Sequence, residues 1–107
     1  MLKRTCTCGD PRKENAGDTI TLSGWVNTYR DQGKGLVFID LRDRYGLMQV
    51  VFDGEDSPEN VMEIGASLRR EDVISVSGTV RIRDGKPNAN LETGDIELVA
   101  KEIEIIN

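Results

Sequence analysis

The chain has 107 residues, of which 37% are hydrophobic and 31% charged, and its formal net charge is −5. This length and composition predict a single globular domain spanning residues 1–107, and they exclude a disordered chain. They also exclude a membrane-spanning helix, which needs about 20 consecutive apolar residues. Because the N-terminus has no apolar signal-peptide stretch, we expect a cytoplasmic protein.

The N-terminal third predicts one helical turn, one strand and one loop. Residues 12–16, followed by Gly17, are typical of a short helical turn with a glycine stop. Residues 20–29 alternate apolar and polar side chains and contain Gly24, which predicts a strand with a bend or bulge. Residues 31–35 contain two glycines and predict a flexible loop.

Residues 36–52 predict a β-hairpin with a four-residue turn at 43–46. This turn length sets the register of the two strands. It pairs Leu41 with Met48, Ile39 with Val50, and Val37 with Phe52. All six side chains are apolar, so the register places one face of the hairpin in a core.

The opposite face of the hairpin carries Phe38, Asp40, Arg42, Gln49 and Val51. On it, Phe38 and Gln49 would be diagonal neighbours about 7–8 Å apart at the backbone. An aromatic ring beside an amide, flanked by an arginine, predicts a nucleobase platform. The ring can stack on a base while the amide reads its edge.

The one predicted helix begins at Ser57 and Pro58, with the serine as N-cap and the proline at the first helical position. Its apolar side follows helical spacing and should pack on a sheet. That side consists of Val61, Ile64, Gly65 and Leu68.

Two further strands are predicted after the helix. Residues 73–83 form the first, with Ile74, Val76, Val80 and Ile82 pointing inward. A long polar loop at 84–90 follows. Residues 96–106 form the second strand, whose inward parity changes between Leu98 and Ile103 and therefore implies a bulge.

The order of three strands, a helix and two strands predicts an all-β fold with little helix. Gly24 and Gly78 stand where a small barrel has to bend. We therefore predict a five-stranded OB-fold Greek-key barrel with its helix between strands 3 and 4. That fold binds oligonucleotides on the face of its second and third strands, where Phe38 and Gln49 lie.

The acidic net charge argues against binding RNA phosphates, but the charge is unevenly distributed. Acidic residues dominate 53–60 and 92–107, whereas 25–49 and 69–86 are locally positive. The candidate RNA backbone contacts in the positive stretches are Arg42, Arg81 and Arg83.

The residues needed for catalysis or metal binding are scarce. The chain has no histidine, and its two cysteines, Cys6 and Cys8, cannot complete a four-ligand zinc site. They are also poorly spaced for a mutual disulfide, so we expect reduced thiols and no metal. No glycine loop that cradles a phosphate opens a helix. Trp25 is expected to pack in the core or at its rim.

Several segments of the chain resemble one known family. They are residues 21–27, 38–53, 77–81, 88–97 and 105–107. Together they resemble the N-terminal anticodon-binding domain of bacterial-type aspartyl-tRNA synthetases, which are class II enzymes, and the resemblance covers nearly the whole chain. The related asparaginyl and lysyl enzymes share a weaker version of the pattern.

The resemblance implies a role for five residues. Phe38 would stack on the central uridine of a tRNA anticodon, and Gln49 would hydrogen-bond the edge of that base. Arg30 would contact the anticodon backbone or a base. Asn88 and Glu97 would help to read the flanking anticodon bases.

The resemblance also implies the partners. The ligand would be the anticodon stem-loop of a tRNA, with no membrane involved and no cofactor for this domain. Aspartylation with ATP and magnesium would take place in a separate catalytic domain, absent from residues 1–107, of a parent enzyme that is a homodimer. The isolated domain would be a monomer. The alternatives are a general single-strand-binding OB domain, the anticodon-binding domain of a related asparaginyl or lysyl enzyme, and a structural or dimer-supporting domain without RNA contact.

Overall fold

The computed structural model describes residues 2–107 and forms a closed five-stranded barrel. A short 3₁₀ turn at Lys13–Asn15 precedes it. The elements that follow are β1 (Thr19–Gly33), β2 (Leu36–Asp43), β3 (Gly46–Asp53), α1 (Glu59–Ser67), β4 (Val73–Ile82) and β5 (Ile96–Ile105). Around the barrel the order is β1-β2-β3-β5-β4, with β3 and β5 parallel and the other pairs antiparallel. The predicted OB-fold is confirmed. No described helix has the length and apolar character to cross a membrane.

The hairpin of β2 and β3 has the predicted register. Its three apolar pairs are Leu41 with Met48, Ile39 with Val50, and Val37 with Phe52. All six side chains are buried in the barrel core. On the outer face Phe38 lies opposite Val51, and Asp40 lies opposite Gln49. Phe38 and Gln49 are therefore diagonal neighbours, as the register predicts.

The helix α1 closes one end of the core. Val61 and Leu68 are 2% and 4% exposed, and Ile64 packs against the same cluster, so the predicted apolar side is confirmed. The helix lies very close to β3, because a Cβ on Gly65 would come within 2.5 Å of the Phe52 ring. A side chain at position 65 would therefore push the helix off the barrel.

Barrel closure depends on a bulge in β5. The pairing of β4 with β5 shifts after Ser77, where Glu102 is the partner of Ser77 and Ala100 the partner of Gly78, so Lys101 has no partner in β4. A Cβ on Gly78 would lie only 1.9 Å from the Val99 carbonyl oxygen. The bulge predicted between Leu98 and Ile103 is confirmed.

The bulge predicted within the strand of residues 20–29 is confirmed, but it lies after Gly24. Pairing of β1 with β4 runs without a break through Gly24, and the register shift with β2 lies between Val26 and Thr28. Gly24 serves close packing, since a Cβ there would lie 2.3 Å from the Arg42 carbonyl oxygen.

Two predicted segment boundaries need correction. The 31–35 loop is shorter than predicted because β1 extends to Gly33, and the turn is made by Gly33, Lys34 and Gly35 with φ of 75°, 55° and 72°. The helix begins one residue late, at Glu59, with Pro58 as N-cap. Ser57 instead accepts a hydrogen bond at its hydroxyl from the Asp53 amide over 3.2 Å.

One predicted side-chain placement is wrong, and one residue of the outer face is covered. Ile82 is 47% exposed rather than inward, since it lies at the very end of β4. Val51 is fully buried although it shares the outer face with Phe38. Period-two alternation identifies the two faces of a strand, but it does not reveal what covers the outer one.

Candidate nucleic-acid interface

An open groove of about 410 Å³ lies on the outer side of β2 and β3, next to the ends of β4 and β5. It contains the predicted platform together with several charged side chains. The lining residues are Arg30, Gln32, Leu36, Phe38, Gln49, Asp53, Arg81, Arg83, Asp84, Lys86 and Glu97. Six of the eight predicted site residues thus line one groove.

Phe38 is the aromatic surface of the groove. It lies on β2, directly opposite Arg30 on β1, and its side chain is only half-buried. The Arg30 guanidinium carbon is 5.8 Å from the centre of the Phe38 ring, which is cation–π distance. The ring is therefore held by a neighbouring strand while part of it remains open to the groove.

The Gln49 amide is held at both ends. Its Oε1 accepts a hydrogen bond from Arg30 Nη2 over 3.2 Å, and its Nε2 donates to Glu97 Oε1 over 2.8 Å. The residue is 9% exposed. A guanidinium can only donate and a carboxylate can only accept, so the two partners set which way the amide points.

Glu97 is the buried centre of the polar network. It lies on β5 and is 3% exposed, and its second carboxylate oxygen accepts from Arg81 Nε over 2.7 Å. Arg81 also pairs with Asp53 at 3.3 Å and Asp56 at 3.2 Å. Its positive charge is thus met by three carboxylates.

The surroundings of Arg81 affect its pKa in two opposing ways. Desolvation acts to lower the pKa of Arg81, but the hydrogen bond and the charge of Glu97, followed by those of Asp53, outweigh it. The pKa of Arg81 is therefore raised. The network holds the guanidinium firmly in its charged form.

Arg83 directly follows β4 and is the second arginine, after Arg81, at this end of the groove. Its Nε donates to the Ile96 carbonyl oxygen over 2.9 Å, and its Nη2 is buried without a hydrogen-bond partner among the described residues. Desolvation lowers the pKa of Arg83, against the raising effect of Glu97 and Asp40. Part of this guanidinium has therefore lost water without gaining an acceptor.

Two predicted residues lie outside the groove lining. Asn88 is exposed in the loop after β4, where its side-chain oxygen accepts from the Asn90 amide over 3.0 Å. Arg42 is exposed on β2, between Trp25 of β1 and Leu47 of β3. Their roles remain predictions. Trp25 itself is half-buried and also outside the groove.

The acids that organise the groove have no local signal in the sequence. Asp40 lies 3.6 Å from Arg30, and Asp53 and Asp56 pair with Arg81. Asp53 ends a strand and Asp56 follows in a loop, and neither has a local pattern that points to a residue 25 or more positions away. Lys86 was counted within a positive stretch but was not assigned to the site.

The groove has a different charge balance from the chain as a whole. Its lining holds four cations and three acids, whereas the formal net charge of the chain is −5. The cations are Arg30, Arg81, Arg83 and Lys86, and the acids are Asp53, Asp84 and Glu97. This is the local excess of positive charge that an anionic ligand requires.

The cysteines lie apart from the groove. Both are free thiols; Cys8 is fully buried, and Asp43 accepts a hydrogen bond from its amide over 2.9 Å. Burial, and then the charge of Asp43, raise the pKa of the Cys8 thiol. Within residues 2–107, no cluster of three or more acidic, cysteine or histidine side chains could hold a metal ion.

Comparison with known families agrees with this fold. The tRNA anticodon family, whose model is described as an OB-fold nucleic acid binding domain, matches residues 20–106. The chain belongs to this family. The match includes all five strands and every predicted site residue.

Individual relatives of the chain confirm the resemblance to aspartyl-tRNA synthetases. The chain is 54% identical over 105 residues to the aspartate–tRNA(Asp/Asn) ligase of Salinibacter ruber, covering 97% of the chain and 16% of that protein. It is 49% identical to the aspartate–tRNA ligase of Streptococcus agalactiae serotype V, covering 99% of the chain and 18% of that protein. The chain thus spans less than a fifth of the length of these relatives.

Solved structures of other proteins share this fold. The asparaginyl-tRNA synthetase of Pyrococcus horikoshii superimposes with a TM-score of 0.79 at 25% identity, over 100% of this chain and 24% of that one. OBody AM2EP06, bound to hen egg-white lysozyme, gives a TM-score of 0.87 at 24% identity over 100% of this chain and 96% of that one. The second likeness concerns the fold alone.

Proposed function

We propose that this chain binds the anticodon stem-loop of a tRNA with uridine at the centre of the anticodon. It would do so as the anticodon-recognition part of an aspartate–tRNA ligase. The observation that carries the proposal is the connected set of Phe38, Arg30 and Gln49 in one groove, where an aromatic surface and an oriented amide lie side by side.

A base entering the groove would stack on the exposed part of the Phe38 ring. Such stacking contributes about 1–3 kcal/mol per base. The Gln49 Oε1 atom has a second lone pair beyond the one that Arg30 uses, and it would accept from N3–H of uracil. Arg30, held between Phe38 and Gln49, would donate to a base carbonyl or to the backbone.

The flanking anticodon bases would be read by Glu97 and Asn88. Each oxygen of the Glu97 carboxylate uses one lone pair within the protein, so each retains another for the amino group of a base. Asn88 belongs to the loop that enters β5, and its exposed amide can reach a base that extends beyond the groove. These two contacts would add sequence selectivity rather than most of the affinity.

The phosphates of the stem-loop would lie along the cations outside the base pocket. Arg83 and Lys86 line the groove, and exposed Arg42 extends the positive strip along β2. Because these contacts release counterions, affinity should fall as salt rises. Arg81 contributes less to this strip, since three carboxylates already meet its charge.

The whole protein would attach aspartate to tRNA with ATP and magnesium, as a homodimer in the cytoplasm. Relatives named both aspartate–tRNA(Asp/Asn) ligase and aspartate–tRNA ligase support this activity. As the resemblance to aspartyl-tRNA synthetases implies, ATP and magnesium would bind a separate catalytic domain, and the present chain would contribute tRNA selection.

The decisive experiment is a titration of the 107-residue chain with anticodon stem-loops that differ only in the central base. We expect the uridine stem-loop to bind most tightly, with NMR shifts at Phe38 and Gln49. Equal affinity for every central base would favour a general single-strand-binding domain. Absence of any shift would favour a purely structural domain and would overturn the proposal.

A further inference from the structure

The Gln49 amide can read a base in only one orientation while its two partners stay in place. An amide flipped by 180° would put Nε2 against the Arg30 guanidinium and Oε1 against the Glu97 carboxylate. Both contacts would then be mismatched, donor against donor and acceptor against acceptor. The flip is therefore penalised at both contacts, and the penalty at position 97 lasts only as long as Glu97 remains an acceptor there.

Glu97 in turn depends on Arg81. The carboxylate is 3% exposed, and an unpaired charge at that depth would be strongly unfavourable. Arg81 Nε meets it at 2.7 Å, while the other end of the guanidinium reaches Asp53 and Asp56 at 3.3 and 3.2 Å. The planar, many-donor guanidinium spans these three acids in a way that a lysine ammonium cannot.

We infer that Arg81 is a positioning residue that, through Glu97, holds the Gln49 amide with its oxygen toward the groove and so makes the groove prefer uridine to cytidine. The inference rests on the proposed function and extends it to a residue that does not need to touch RNA. Uracil presents N3–H to the amide oxygen, whereas cytosine presents the N3 lone pair. Cytosine would be accepted only by a flipped amide.

The test compares uridine and cytidine stem-loops against Arg81→Lys. Lysine keeps the positive charge that a phosphate contact would use, but it cannot bridge Glu97, Asp53 and Asp56 together. We expect the preference for uridine over cytidine to fall by about fivefold or more, the value of one matched against one mismatched hydrogen bond. A matched control is Arg70→Lys, an exposed arginine outside the groove, which should leave the preference unchanged.

A second variant tests the same inference by changing Glu97 instead of Arg81. In Glu97→Gln the new amide can donate as well as accept, so a flipped Gln49 is penalised at Arg30 but no longer at position 97, and the preference should fall in the same way. This variant keeps the test decisive if Arg81→Lys does not fold, which a ¹H–¹⁵N NMR spectrum shows directly.

An RNA-free measurement separates this inference from the proposed function. Hydrogen exchange of the Gln49 Nε2 protons should be slow in the wild-type chain and faster in Arg81→Lys. A wild-type chain that binds both stem-loops equally would overturn the proposed function, and with it the uridine preference. A wild-type preference that survives unchanged in both variants would overturn the role of Arg81 alone.

Discussion

Gln49 of β3 donates a 2.8 Å hydrogen bond to Glu97 of β5, although the two residues are 48 positions apart in the chain. They meet because β3 and β5 pair in parallel, with Val50 beside Leu98. Both side chains are almost fully buried, so the contact forms in a medium where charges interact strongly. This relationship makes the Gln49 amide part of the barrel rather than a surface side chain.

Replacement of Gln49 by glutamate should test how buried that contact is. Two carboxylates would face each other at hydrogen-bond distance, and we expect Gln49→Glu to lower the free energy of unfolding by about 2–3 kcal/mol at pH 7. Mutual repulsion raises the pKa of such a pair. The lost stability should therefore return as pH falls below about 5, where one carboxyl takes up a proton.

Urea unfolding at pH 7 and at acidic pH measures this effect. Gln32→Glu is the matched control, because Gln32 lines the same groove but is exposed. A loss of stability for Gln49→Glu no larger than that for Gln32→Glu would contradict a buried Gln49–Glu97 bond.

Removal of the Phe38 ring should weaken RNA binding without unfolding the domain. Stacking of about 1–3 kcal/mol per base predicts that Phe38→Ala lowers affinity for the uridine stem-loop by about 5- to 150-fold. Fluorescence anisotropy at fixed salt measures the change. Tyr45→Ala is the matched control, because Tyr45 is an aromatic that is 58% exposed but lies in the β2–β3 turn outside the groove. Unchanged affinity in Phe38→Ala would contradict the stacking role.

A methyl group at Gly78 should disrupt barrel closure. The added Cβ would lie 1.9 Å from the Val99 carbonyl oxygen, and backbone cannot move aside as a flexible side chain can. We expect Gly78→Ala to cost about 2–4 kcal/mol of stability, and thermal unfolding to occur about 10 °C or more lower. Ser77→Ala, one residue earlier in β4, should change stability by less than about 0.5 kcal/mol. Equal melting temperatures for the two variants would show that β4 and β5 lie far enough apart at Gly78 to accept a methyl group.

Alkaline pH should destabilise the fold through Cys8. Its pKa is raised in the folded state by burial and by Asp43, so the unfolded chain loses the thiol proton first as pH rises. The free energy of unfolding should then fall above about pH 9, by as much as about 1.4 kcal/mol per pH unit from this group. Cys6 and Tyr29, whose pKa values are raised mainly by burial, act in the same direction.

The Cys8 contribution is isolated by comparing slopes rather than absolute stabilities. Cys8→Ala loses packing at every pH, but its stability should decline less steeply above pH 9 than that of the wild-type chain. Denaturant unfolding from about pH 7 to 10.5 provides the two curves. Parallel curves would mean that Cys8 ionises as easily in the folded chain as in the unfolded one.

The β2–β3 hairpin shows how much of the structure a local sequence pattern can predict. Alternation from Val37 to Phe52 and one turn length were sufficient to set the register, and that register put Phe38 and Gln49 on the same face. The pattern was less informative at strand ends, where Ile82 is exposed although its parity is inward. The alternation of side chains along a strand identifies its two faces. It does not identify the residue at which the inner face is no longer buried in the barrel.

By itself, the sequence determined the order of elements, the hairpin register, the bulge in β5 and the placement of Phe38 and Gln49 on one face, because these depend on local pattern and on contacts between near neighbours. Only the tertiary structure decided that Gln49 is locked by Arg30 and Glu97, and that Arg81 is held by Glu97, Asp53 and Asp56. Those partners come from four separate segments of the chain. Charged side chains meet wherever barrel closure brings their strands together, and no local periodicity encodes that meeting.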